Sequence, residues 1–138
     1  MKKIYYQTIL FLILASLQSC YKDVGPIEGE GGAIDIPDTG VSYSQHVQPI
    51  YDQNCISCHP SSGNLDLTAG NSYAETVNVN ASGYSGKLVV PGNPESSILY
   101  KKIDGSGAYG SNMPLGGSLS QSQIAIIKQW IEEGAENN

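Results

Sequence analysis

The chain has 138 residues, 40% of them hydrophobic, and a net charge of −6 from 13 acidic residues against 7 basic ones, all of them lysine. That length holds one domain with little to spare and excludes a polytopic membrane protein. An acidic chain without arginine is also a poor match for nucleic acid, because phosphate contact relies on clustered Lys and Arg; it suits basic partner proteins, or simply solubility.

Residues 1–19 predict a signal peptide. Lys2 and Lys3 open it, and the apolar run from Ile9 to Ala15 falls short of the roughly 18–20 residues that span a bilayer. Leu17-Gln18-Ser19-Cys20 then resembles a bacterial lipoprotein box, in which Cys20 becomes the lipidated first residue of the mature chain. An ordinary secretory signal with a chance cysteine is the alternative. Lipid on Cys20 would leave the other two cysteines as a closed set. A lipoprotein cysteine bears more than one acyl chain, which is what stable anchoring takes. The expectation is a cell-envelope protein, lipid-anchored to a membrane, with its domain facing the periplasm or the exterior. Residues 20–40, rich in Gly, Pro and acid, read as a flexible linker.

The domain is expected over 41–138. Ser44 to Asn54 reads as a first helix with Val47, Ile50 and Tyr51 on one face, and Pro49 either kinks it or sets its true start. From Leu65 to Gly110 the chain is rich in Gly, Asn and Ser and predicts only short pieces. Asn93-Pro94-Glu95 gives an N-cap, first position and first-turn acid for a short helix running through Lys102, with Ile98, Leu99 and Ile103 inward. The last helix is the clearest. Ser120 and Gln123 form a capping box, and Leu119 and Ile124 sit at staple positions. Ile124, Ile127 and Ile131, broadened by Ile126 and Trp130, make its inward face, and Gly134 supplies the stop.

Chemistry is concentrated in Cys55-Ile56-Ser57-Cys58-His59. In an exported chain, C-x-x-C-H reads as covalent attachment of one c-type haem. Two thiols three residues apart can each form a thioether with a vinyl group, and the adjacent imidazole can bind the iron. Three other readings compete. A disulfide between Cys55 and Cys58 would close a tiny loop and gain little. A thioredoxin-like pair needs a βαβ context, and none is visible. Structural zinc takes four ligands, which would use both Cys and both His residues of the domain, His46 and His59. His46 lies nine residues before Cys55 and reads as a surface or capping residue.

These residues give the domain a resemblance to the monohaem cytochrome c family, and within it to a cytochrome c-like type found in Bacteroidetes and Planctomycetes. The matching stretches are Val47-Gln48-Pro49-Ile50, Cys55 to His59, Leu65-Asp66-Leu67, Val90 to Pro94, Met113-Pro114 and Trp130 to Ala135. The resemblance implies a small all-α domain with long irregular loops around a covalent haem, its first and last helices packed together. It also implies a sixth iron ligand at Met113. Met113 is the one methionine outside the leader, and Pro114 biases it to an extended backbone in a Gly-rich segment; core filler is the alternative role.

With His59 and Met113 on the iron, no open position remains, and the expectation is an electron carrier that serves redox partner proteins and is not an enzyme. Two alternatives stand beside it. One is a five-coordinate or labile haem that senses or acts on a gas or peroxide. The other is a structural haem module of a larger complex.

Overall fold

The structure, a computed structural model, describes residues 37–138. The expected signal peptide, the lipidation at Cys20 and all but the last residues of the linker lie outside the described residues. The described residues form four α-helices: α1 at Gln48–Asn54, α2 at Ser72–Thr76, α3 at Ile98–Ile103 and α4 at Gln121–Glu132. Among the described residues there is no strand. Two isolated bridges, Val77 with Val89 and Asn80 with Lys87, tie the excursion at 77–89 back on itself. The fold is all-α with long irregular loops, as expected. No helix among the described residues is long and apolar enough to cross a membrane.

Pro49 sets the true start of the first α-helix, one of its two expected roles, and only the stretch before it differs from the expected form. A π-helical turn at Tyr43–Val47, capped by Ser42, precedes α1. Pro49 accounts for the change. It lies in the first turn of α1, where its missing N–H costs nothing. It cannot, however, donate to the carbonyl four residues back, and the turn before it widens so that Gln48 N–H reaches the Tyr43 carbonyl.

The second correction falls at Ser97. Asn93 caps as predicted, its side chain accepting from Ser96 N–H at 3.0 Å. Pro94–Ser96 is nevertheless only a 3₁₀ turn, and Ser97 is extended before α3 begins. The buried Ser97 hydroxyl accepts from Val90 N–H at 2.8 Å and donates to the Asn93 carbonyl at 2.8 Å. The break lets Ile98 and Leu99 N–H donate to the Lys87 and Leu88 carbonyls at 3.1 and 2.9 Å. Those bonds satisfy donors at the start of α3 that would otherwise lack partners.

Helix α4 matches its prediction. Ser120 Oγ accepts from Gln123 N–H at 3.2 Å, and Gln123 Oε1 accepts from Ser120 N–H at 2.9 Å. Gly134, at φ +106°, ends the helix, and Ala135 N–H returns to the Trp130 carbonyl at 2.8 Å. Ile127, Trp130 and Ile131 are buried. Trp130 stacks at a tilt on Tyr43, ring centroids 5.1 Å apart, which joins the last helix to the first helical stretch. Leu119 is buried and Ile124 packs against the same core.

Polar groups bind these elements too. The buried Gln48 amide donates to Asp52 and to the Leu67 carbonyl, and its oxygen faces the Tyr43 and Ser72 hydroxyls. At the other end, Asn138 accepts from Tyr43 N–H through its side chain at 2.7 Å and from Ser44 N–H through its carbonyl at 2.9 Å. Val41 N–H donates to Glu133 at 2.7 Å.

Candidate functional site

One cavity of about 510 Å³ gathers Cys55, Cys58, His59 and Met113. In sequence Met113 lies 54 residues after His59; the fold brings all four to one lining. His46 is elsewhere, its Nδ1 accepting from Ser42 N–H at 2.8 Å, so it caps the π-helical turn.

The C-x-x-C-H segment leaves α1 in a run of turns. Cys55 N–H ends the helix on the Tyr51 carbonyl at 2.8 Å, and Cys58 and His59 N–H both return to the Cys55 carbonyl, at 3.1 and 2.9 Å. Both cysteines are free thiols, Cys55 half-buried and Cys58 exposed. Burial pushes the Cys55 thiol up to about 11. The His59 ring is oriented by the chain just after it. Nδ1 lies 2.8 Å from the Ser62 carbonyl, which can only accept, so Nδ1 carries the proton and Nε2 keeps a free lone pair. Gly63, at φ +71°, makes this turn, and a Cβ there would sit 4.0 Å from His59 Cε1.

The loop after His59 is held by Asp66, which accepts from Thr68 N–H at 2.9 Å, Thr68 Oγ1 at 2.6 Å and Asn71 Nδ2 at 2.8 Å. These bonds, the Thr68 hydroxyl first, hold its carboxyl below the usual range. Leu67 N–H then donates to the His59 carbonyl at 2.7 Å and brings Leu67 into the lining.

The rest of the wall is mainly apolar. Leu65, Leu88, Ile98, Leu99, Ile103 and Ile127 contribute, with the loop 79–84 and Pro114-Leu115. Met113 is half-buried, and its N–H donates to the Lys102 carbonyl at 2.7 Å. Lys102, Tyr84 and Tyr51 line the cavity as well and were not anticipated as site residues. Lys102 carried a signal: it falls four residues after Ile98 and three after Leu99, on the inward face of α3.

These residues fit the haem that the sequence implies. The volume lies within the roughly 300–1,000 Å³ of pockets that enclose small cofactors. Two free thiols could each form a thioether with a vinyl group, and an imidazole nitrogen with a lone pair could ligate the iron. Tyr51 Oη is buried without a hydrogen-bond partner in this wall, a polar atom the surrounding side chains leave unmatched.

No family model and no solved structure matches the chain. It is similar to cytochrome c6 of Picosynechococcus sp., 29% identical over 90 residues that cover 64% of this chain and 71% of that protein. The likeness is to a cytochrome c. At this distance it suggests a cytochrome c-like family, and with the helices described above it gives an all-α, cytochrome c-like fold.

Proposed function

We propose that this protein is a c-type cytochrome, a lipid-tethered electron carrier with one haem held by Cys55 and Cys58 and ligated by His59 and Met113. The observation that carries the reading is the convergence of these four side chains on one mainly apolar cavity. The likeness to cytochrome c6 supports it in general terms. When bound, haem supplies a one-electron iron couple. The chain's part is to fix and shield it: two thiols for thioether bonds, an imidazole whose tautomer is set by Ser62, a thioether from Met113, and apolar walls that limit water. If His59 and Met113 both hold the iron, the bound haem would offer no open position to a substrate, which favours electron transfer over catalysis.

The test is purification of the full chain from cells that attach haem. Haem that stays with the polypeptide through denaturing electrophoresis, and is lost in Cys55→Ala with Cys58→Ala, is the expected result; non-covalent or absent haem overturns the reading. Mass spectrometry of the same material should show loss of residues 1–19 and added acyl mass on Cys20. An unmodified N-terminus would rule out the lipid tether alone.

A further inference from the structure

Lys102 is out of character with its surroundings. It lines the cavity from α3 beside Ile98, Leu99 and Ile103, and a cation on an apolar wall needs partners. All its partners lie around one segment. Nζ donates to the carbonyls of Tyr109 and Ser111, each at 2.9 Å, and to Tyr84 Oη at 3.3 Å, which uses the three protons of an ammonium. Tyr84 Oη donates in turn to the Tyr109 carbonyl at 2.7 Å. The two tyrosine rings meet edge to face at 5.2 Å, and Nζ stands 5.2 Å from the centre of the Tyr84 ring. The backbone of the same lysine makes the last link, its carbonyl accepting from Met113 N–H.

The other hydrogen bonds of the segment are mostly local, from Ser106 N–H to Asp104, Gly107 N–H to Asn112 and Gly110 N–H to the Gly107 carbonyl, with one long bond from the Ser106 hydroxyl back to the Lys101 carbonyl at 3.5 Å. Between α3 and Met113, Gly105, Gly107 and Gly110 all take left-handed φ, at +80°, +66° and +82°. Such glycines leave an unrestrained chain with many alternatives. We infer that Lys102 is the positioning residue for Met113, clamping the glycine-rich segment so that the thioether stays presented to the cavity. This rests on Met113 being the second axial ligand. A thioether is a weak ligand, and its apparent hold on the iron falls with the fraction of time the segment spends in the presenting geometry. Releasing the clamp therefore lets an external ligand compete by the same factor.

The experiment uses the oxidised, haem-loaded full chain and titrates it with imidazole while following the weak sulfur-to-iron absorption at the red end of the visible spectrum. Lys102→Leu should bind imidazole about tenfold more tightly than the parent, since it loses charged hydrogen bonds to the segment, and its red absorption should weaken. Lys102→Arg, which keeps charge and several donors, should remain close to the parent. A Lys102→Leu variant whose absorption and imidazole affinity match a parent that has the band overturns the inference, even if its potential or melting temperature changes. A parent without the band, binding imidazole as freely as Met113→Ala, overturns the ligand assignment itself and the inference with it. Should Lys102→Leu yield no loaded protein, Tyr84→Phe carries the test: tighter imidazole binding supports the clamp, and parental binding overturns it.

Discussion

His59 is prepared for one task by a carbonyl three residues away. The Ser62 oxygen fixes the proton on Nδ1, and Gly63 allows the chain to turn closely enough to supply it. Met113 has no such local guide, so its substitution is the sharper probe of the proposed site. Met113→Ala should lower the reduction potential, because a thioether favours reduced iron, and the reduced variant should bind carbon monoxide that the parent resists. Redox titration and absorption spectra check both, and identical behaviour would make Met113 core filler. Cys55 gives a pH dependence. In the haem-free chain burial raises its thiol from 9.0 to about 11, so the folded state holds the proton more tightly than the unfolded one. That contribution to stability is intact below pH 9.0 and is lost as pH rises through about 11. Alkylation of Cys55, followed by mass spectrometry, should accelerate across the same window in any haem-free chain that holds this fold. A flat profile there would show the thiol to be exposed. Because a thiolate is the reactive form, burial would also disfavour the proposed attachment of haem at Cys55 once the chain has closed.

At the scale of elements, local signals and long-range ones part company. The capping box on α4 is written in four consecutive residues, and the structure forms both of its bonds. Ser120→Ala should cost about 1 kcal/mol of stability, measured by urea unfolding of the loaded protein with its haem environment otherwise unchanged. The C-x-x-C-H segment and the Gly134 stop were legible for the same reason: each is a short pattern with its own physics. The break at Ser97 was not. It depends on carbonyls at Lys87 and Leu88 and on a hydroxyl that reaches Val90, partners that no helical period reveals. The π-helical turn was half legible, since Pro49 announces a boundary without saying which helix type precedes it. Lys102 shows the same limit. Its inward register could be counted, but the carbonyls it clamps lie on an irregular loop whose course only the fold supplies.

For the molecule as a whole, the cavity sets the energy scale. Its mainly apolar wall opens to solvent at Cys58, Tyr84 and Leu115, so without haem the half-buried Leu65, Leu88 and Ile103 would meet water in place of an apolar partner. A domain's entire stability is about 5–15 kcal/mol, a small margin against that loss. Residues 41–138 should therefore fold only loosely without haem. Cys55→Ala with Cys58→Ala, purified free of haem, should show weakened circular dichroism and rapid proteolysis compared with the loaded chain. A protease-resistant apoprotein would mean that the long loops collapse into the space at little cost. The arrangement of the core points the same way: Trp130 and Tyr43 join the first and last helical stretches, while much of the middle of the chain faces the cavity instead.

The bonds between Val41 and Glu133, and between Tyr43, Ser44 and Asn138, also have a mechanical meaning. Tension entering the domain through residues 37–41 meets these bonds first and passes into the C-terminal end of α4. The residues around Cys58, Tyr84 and Met113 lie off that load path. A protein tugged at its N-terminal end would take up strain where α4 ends, and the spacing of the side chains that line the cavity would be insulated from the pull.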